Sequence, residues 1–207
     1  MTAPTTAESG STMTDTYASR KRLLNTTDLA LVASFTALIA VCSYAAAIPV
    51  GGAGVPITLQ TFAVLLTGLV LGPLRALLAV AIYYLLGVAG LPVFAEHSAG
   101  ASAFTGPTAG YLYTFALAAV VAGAIVRYPL QRHRTRAIFV FVAALAATVV
   151  NHLGGVIGLR TVLDLSWHKA FTVDASYWVG DIVKGAVAAI VAAEVHRAFP
   201  ALLGRRG

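Results

Sequence analysis

Charge is scarce in this chain, and its scarcity determines the class of protein to expect. Of the 207 residues, 11% are charged and 58% are hydrophobic, whereas about a quarter of the residues of a soluble domain are charged. We therefore expect a polytopic membrane protein. The formal net charge of +6 lies mostly in short segments between apolar runs, so it indicates membrane topology rather than binding to nucleic acid.

The chain also lacks two features that would point to other functions. Cys42 is the sole cysteine and lies within an apolar run, which excludes a disulfide framework and a cysteine-based zinc site. The sequence has no phosphate-binding loop of the form Gly-x-x-x-x-Gly-Lys-Ser/Thr, so the chain cannot drive transport with a P-loop ATPase of its own. We expect neither a metal nor a cofactor.

Long apolar segments separated by Gly, Pro and basic residues predict an all-α membrane protein with six transmembrane helices in a compact bundle. We expect a disordered N-terminal tail over residues 1–27, a membrane domain over residues 28–199 and a C-terminal tail over residues 200–207. The predicted spans are residues 29–48, 58–71, 74–90, 109–126, 136–159 and 174–196. The second span is short for a bilayer of roughly 30 Å, which favours a tilted or broken helix beside a cavity.

The positive charges predict the orientation in the membrane. Eleven of the fourteen Lys and Arg residues lie at residues 20–22, 75, 127–136 and 197–206, which places both termini in the cytoplasm. Loops 49–57, 91–108 and 160–173 then face outside. The eighteen-residue loop 91–108 is long for so compact a chain, and we expect it to act as a lid. It contains Glu96 and His97, which lack a partner spacing for a metal site.

Two charges lie where charge is expensive, within the last span. A charged side chain at the centre of a membrane helix costs about 2.5 to 3.5 kcal/mol, so Asp181 and Lys184 need a reason to be there. Three residues apart, they share one helix face, and they either form a salt bridge that seals the bundle or bind a polar ligand between them. Asn151 in the fifth span similarly serves an interhelical hydrogen bond or a ligand.

Other polar and aromatic residues complete the predicted ligand site. Thr58 and Gln60 begin the second span, where they line a cavity or cap the helix at the interface. A further group of aromatic residues supplies flat apolar walls for a small ring system or anchors the chain at the lipid surface; these are Phe94, Tyr84, Tyr111 and Trp178.

Small residues form a stripe along the first span. Ala30, Ala33, Ala37 and Ala40 recur at spacings of three and four residues, which allows close helix contact. The stripe either packs within this bundle or docks a separate membrane subunit.

Four ordered segments are more specific than any single residue. They are VPITLQTFAVLL at residues 55–66, GLPVFA at 90–95, GPTAGYL at 106–112 and GDIVK at 180–184. In this order they resemble segments of the BioY family, the biotin-binding membrane components of energy-coupling factor transporters. The resemblance covers about residues 29–197.

The resemblance implies a six-helix substrate-binding subunit, in the cytoplasmic membrane of a prokaryote, that captures biotin from outside. It implies as partners a transmembrane coupling subunit and cytoplasmic ATPases, which use ATP. Family knowledge assigns ligand binding to Asp181 and Lys184, and docking of the coupling subunit to the surface centred on Ala33 and Ala37.

Biotin suits the charged pair in outline, because its ureido ring offers N–H donors and its tail ends in a carboxylate. We assign the ring to Asp181, with Asn151 as support, and the tail to the neighbourhood of Lys184, although the two ends could be reversed. Some family members carry an Arg in the long outer loop, and residues 91–108 contain none.

Two other functions are compatible with a membrane Asp–Lys pair. The first is a proton-coupled secondary transporter of a small carboxylate-bearing solute, although the sequence shows no convincing internal repeat. The second is an intramembrane enzyme using Asp181, His152 and Asn151. The sequence offers no paired catalytic carboxylates, His-x-x-x-His spacing or nucleophile–base set for it, so we expect no enzyme.

Overall fold

The computed structural model describes residues 25–45, 47–49 and 53–203. Over these residues the chain forms six α-helices and one two-stranded antiparallel sheet. The helices are α1 (Thr26–Tyr44), α2 (Gln60–Leu71), α3 (Pro73–Val88), α4 (Ala109–Arg127), α5 (Ala137–Val162) and α6 (Trp167–Ala198), and the strands are β1 (Ala47–Pro49) and β2 (Pro56–Thr58). The predicted all-α bundle of six helices is confirmed.

Both predicted tails need correction where the structure describes them. Helix α1 begins at Thr26 because Asn25 and Asp28 form a reciprocal capping box. At the other terminus the chain folds back onto the bundle, where Leu203 is buried and Arg75 donates to the carbonyl of Leu202 over 2.9 Å. Residues 1–24 and 204–207 lie outside the described residues.

The first predicted span also ends too late. Helix α1 stops at Tyr44, and residues 47–49 pair with residues 56–58 as a short hairpin with Ile48 opposite Ile57. The residue before a proline favours extended backbone. Ile48 within β1 precedes Pro49, and Val55, directly before β2, precedes Pro56. A helix continued through this segment would conflict with that preference.

Helices α2 and α3 are short, as predicted for α2. With 12 and 16 residues they are about 18 and 24 Å long, against roughly 30 Å of hydrocarbon. They meet at Gly72, which has φ 77°, and Pro73 then opens α3. Three other helices, α1, α4 and α5, are long and apolar enough to cross a membrane.

Helix α6 begins at Trp167, seven residues before the predicted start at residue 174. Ser166 caps it by accepting a hydrogen bond from the backbone N–H of Lys169. The side chain of Asp174 is buried inside the bundle. Asp181 lies fourteen residues beyond Trp167, about 21 Å along the helix axis, whereas a start at residue 174 would place it about 10 Å from the end.

Glycines bring α4 and α5 into backbone contact. A Cβ on Gly110 would lie 2.2 Å from the carbonyl oxygen of Gly154 and 2.7 Å from the Cα of Gly158. The ring of Tyr111 lies directly over Gly155, where an added Cβ would come within 2.0 Å of it. This contact sets the beginning of α4 against the C-terminal half of α5.

Candidate ligand-binding site

A cleft opens at the end of the bundle that carries the β1–β2 hairpin and loop 91–108, here called the cleft end. The space inside it is about 650 Å³ with open solvent at the mouth included. Six of the nine predicted ligand residues line it, namely Thr58, Gln60, Phe94, Tyr111, Asp181 and Lys184. The structure thus brings together residues from four separate parts of the sequence.

Asp181 and Lys184 form the ion pair that their spacing predicts. The Nζ atom of Lys184 lies 2.8 Å from Oδ1 of Asp181, and the side chains are 14% and 7% exposed. Thr61 joins them, because its hydroxyl donates to the same carboxylate oxygen over 2.9 Å and lies 3.2 Å from Nζ. Both charges therefore face one small region of the cleft wall.

His152 extends this pair into a buried charge network. Its Nδ1 atom lies 2.8 Å from Oδ1 of Asp174, and its Nε2 atom makes a looser contact of 3.3 Å with Oδ2 of Asp181. The Nδ1 contact is a hydrogen bond, whereas Nε2 faces Asp181 without hydrogen-bond geometry; a doubly protonated ring would present an N–H to each carboxylate. With Lys184 as the second cation, the two acidic side chains are then balanced by two basic ones.

Tyr111 and Trp178 hold the far end of the network. Both donate to Asp174, from the Tyr111 hydroxyl over 2.7 Å and from the Trp178 indole N–H over 2.9 Å. Trp178 also stacks on the ring of His152 with 4.4 Å between centroids. Trp178 thus covers the network, whereas the sequence suggested it as a wall of the site.

Asn151 lies beside the network rather than on the main cleft. Its side-chain oxygen accepts a hydrogen bond of 3.0 Å from the hydroxyl of Thr114, which links α5 to α4. Together with Thr61 and Asp181 it lines a smaller pocket behind the cleft wall. The interhelical hydrogen bond is therefore formed, and ligand contact by Asn151 stays a prediction.

Tyr84 lies one layer behind the cleft. Its hydroxyl donates to the carbonyl of Leu112, and its ring packs edge-on against Phe104 with centroids 5.3 Å apart. The neighbouring residue, Tyr83, turns inward instead and accepts a 2.6 Å hydrogen bond from the side-chain amide of Gln60. Tyr84 supports the aromatic wall and does not line it.

Loop 91–108 covers one side of the cleft, and Phe94 fixes it there. The Phe94 ring is buried over Gly87, and it packs edge-on against Tyr83 and Phe104. The backbone N–H of Gly100 donates to the carbonyl of Gly87 over 2.8 Å. Loop 91–108 therefore lies where a lid would lie, while its movement stays a prediction.

In the described part of the chain, no group of three His, Cys, Asp or Glu is placed to hold a metal ion.

Thr58 combines the two roles that the sequence left open. Its hydroxyl accepts a hydrogen bond of 3.2 Å from the backbone N–H of Gln60 at the start of α2, and it also lines the cleft. Phe115 and Tyr177, which the sequence did not single out, line the cleft as well.

The alanine stripe faces away from the bundle. Ala30, Ala33 and Ala37 are exposed on the surface of α1, and Ala40 is half-buried. This surface is therefore not used for packing among the described helices.

The apolar helices define a multi-pass membrane protein, and its cleft carries an ion pair on the wall. The sequence model of the BioY family matches residues 13–201. The chain belongs to the BioY family.

Similar proteins agree with this membership. The biotin transporter BioY of Rhizobium etli is 33% identical over 186 residues, which cover 88% of this chain and 100% of the relative. The probable biotin transporter BioY of Pyrococcus horikoshii is 39% identical over 166 residues, covering 80% and 93%. A crystal structure described as the S-component for biotin from an ECF-type ABC transporter has a TM-score of 0.78 at 22% identity, and covers 83% of this chain and 91% of that one. At this identity it supports the fold.

Proposed function

We propose that this chain is the biotin-binding subunit of an energy-coupling factor transporter and captures biotin for uptake. The observation that carries the proposal is the Asp181–Lys184 pair on the wall of the cleft, in a chain of the BioY family. The chain is a transport protein and not an enzyme, as its family and the names of its relatives indicate. It holds no cofactor of its own, and ATP is used by partner subunits.

The geometry refines which part of biotin each charge meets. Nζ of Lys184 and Oδ1 of Asp181 are 2.8 Å apart, whereas the two polar ends of biotin are separated by a bicyclic ring and a four-methylene chain. The ureido group, by contrast, presents an N–H donor directly beside a carbonyl acceptor. We therefore place the ureido N–H at Asp181 and the ureido carbonyl at Lys184, and direct the carboxylate tail toward the mouth of the cleft. Phe94 and Tyr111 supply apolar walls for the ring.

The distribution of charge supports an orientation with the cleft end outside and both termini in the cytoplasm. Arg75, Arg127 and Arg197 lie at the opposite end of the bundle, and positive charge favours the cytoplasmic side. The location is the cytoplasmic membrane of a prokaryote. The exposed Ala33 and Ala37 on α1 offer a flat surface for the transmembrane coupling subunit.

Binding of radiolabelled biotin to the purified chain tests the proposal. We expect saturable binding that unlabelled biotin and desthiobiotin displace and thiamine does not, because the thiamine ring lacks the ureido group. Asp181→Asn is expected to weaken binding about tenfold to a hundredfold, since it removes one charged hydrogen-bond partner. A folded, monodisperse chain that binds no biotin would contradict the proposal.

A proton-coupled transporter is the second candidate, because carboxylate, imidazole and carboxylate are in contact along Asp174, His152 and Asp181. Such chains can relay protons within membranes. Uptake into vesicles that contain this chain alone distinguishes the two. Uptake that collapses with the proton gradient favours the second candidate, and uptake that requires the coupling subunit and ATP favours the first.

A further inference from the structure

His152 and Asp174 form a buried ion pair behind the cleft wall, and the proposed binding of biotin does not use them. Neither residue lines the cleft. We propose that His152, held by Asp174, is a positioning residue that keeps Asp181 oriented as the hydrogen-bond acceptor for the ligand's ring. This inference rests on the proposed function and concerns the same site.

The contacts of His152 leave its ring no freedom to turn. The side chain is 2% exposed, each ring nitrogen faces a different carboxylate, and Trp178 covers one face of the ring. Asp174 is itself fixed by the Tyr111 hydroxyl and the Trp178 indole. The imidazole therefore approaches Oδ2 of Asp181 from a set direction, while Thr61 and Lys184 contact Oδ1.

The charges of the network explain why this position matters. Asp174 and Asp181 are opposed by His152 and Lys184, so the buried set is neutral when His152 is doubly protonated. Without His152, Asp174 would lose the basic side chain that contacts it, while Asp181 would keep Lys184 at 2.8 Å. An unpaired buried charge is costly, so Asp174 is the carboxylate that would take up a proton. Oδ2 of Asp181 would then lose the imidazole that faces it, and the carboxylate would be held only at Oδ1, by Thr61 and Lys184. Loss of His152 would thus leave Asp181 free to turn away from the ureido N–H.

A double-mutant cycle on biotin binding tests this role. The variants are His152→Gln, Asp181→Asn and the combination of both, with the Kd for biotin measured on the purified chain. We expect each single variant to weaken binding about tenfold to a hundredfold, the range for a charge-assisted hydrogen bond. We expect the double variant to bind as Asp181→Asn alone does, because His152 acts only through Asp181.

His196 provides a matched control. It is the other fully buried histidine among the described residues, and its Nε2 atom lies 2.8 Å from the carbonyl of Leu69, far along α6 from the cleft. His196→Gln is expected to lower the thermal midpoint and leave the Kd for biotin within about twofold of wild type. If the loss of any buried histidine weakened biotin binding, His196→Gln would raise the Kd as well.

A second ligand separates positioning from structural support. Biotin methylated at the ureido nitrogens cannot donate to Asp181, so the wild-type chain should prefer biotin over it by about tenfold or more. In His152→Gln the preference for biotin over the methylated ligand should fall to about threefold or less. The variant should keep the preference for biotin over desthiobiotin that the wild-type chain shows. If His152→Gln does not fold, the double variant His152→Gln/Asp174→Asn replaces it in the cycle, because it removes one charge of each sign.

The outcomes are distinct. Additive losses in the cycle, or an unchanged preference against the methylated ligand, would overturn the positioning role while leaving the proposed function standing. Equal weakening of every ligand would also overturn it, since that is the result for a residue that only supports the fold. Failure of the wild-type chain to bind biotin would instead refute the proposed function.

Discussion

Lys184→Met removes one ammonium group while keeping an unbranched side chain of similar length, so it tests which end of biotin this residue binds. In the structure Nζ lies 2.8 Å from Asp181 and 3.2 Å from the hydroxyl of Thr61. A hydrogen bond from a charged donor contributes about 1.5 to 3 kcal/mol, and 1.4 kcal/mol is a factor of ten in Kd. We therefore expect biotin to bind about tenfold to a hundredfold more weakly to the variant.

Comparison with biotinamide makes the test specific. Biotinamide keeps the ureido ring and replaces the carboxylate with a neutral amide. If Lys184 binds the ureido carbonyl, titration calorimetry should show the same factor of weakening for both ligands, because both carry that carbonyl. The variant should also lower the free energy of unfolding, because a buried carboxylate loses its ammonium partner, and Asp181 then keeps only its contacts with Thr61 and His152.

The opposite pattern would refute the placement of the ureido group. If Lys184→Met instead weakened the binding of biotin and left that of biotinamide unchanged, the two ligands would bind the variant equally. Lys184 would then bind the carboxylate tail, as the sequence first suggested. Val183→Met is the control, because the adjacent side chain is 58% exposed on the outer face of α6 and its replacement should leave both Kd values unchanged.

Three further predictions concern the scaffold around the site. Gly110→Ala should lower the thermal midpoint and weaken biotin binding, because a Cβ there would lie 2.2 Å from the backbone of α5. Gly180→Ala is the control: its Cβ would meet nothing within 4 Å, so the change should be neutral or stabilise the fold by up to about 1 kcal/mol. Phe94→Ala should cost about 3 to 5 kcal/mol of stability and speed biotin dissociation in a pulse-chase assay, by loosening loop 91–108; an unchanged off-rate would contradict that role. Ala37→Trp should leave biotin binding intact and abolish uptake that depends on the partner subunits, while Ile190→Trp, which is also on an exposed helix surface, should affect neither.

The long apolar runs and their breaks were sufficient to predict six helices and most of their bounds, because length and composition decide whether a segment can span a bilayer. The same rule misplaced the start of α6. The predicted span begins at residue 174, but nothing local shows that the Asp174 carboxylate meets Tyr111 and Trp178 inside the bundle. A usable signal was present: Asp174, Trp178 and Asp181 recur at helical spacing and so share one face.

The candidate site was predicted less evenly. Charged residues within a span are informative wherever they fall, so Asp181 and Lys184 stood out, and the structure places both on the cleft. Adjacent tyrosines are not informative in that way, because successive residues on a helix point about 100° apart and composition does not say which one turns inward. Tyr83, not Tyr84, reaches Gln60.

The charge network also explains why the composition of α6 does not mark it as a membrane span. It is the longest of the described helices at 32 residues, yet it is absent from the three that qualify as membrane spans by apolarity. Asp181 has a counter-ion on the same helix, Lys184, whereas the basic contact of Asp174 is His152 of α5. The charge of Asp174 in α6 is thus compensated by a helix that precedes it in the chain, and an uncompensated charge in the bilayer is costly. The same pairing that allows α6 to enter the bundle leaves Asp181 facing the cleft.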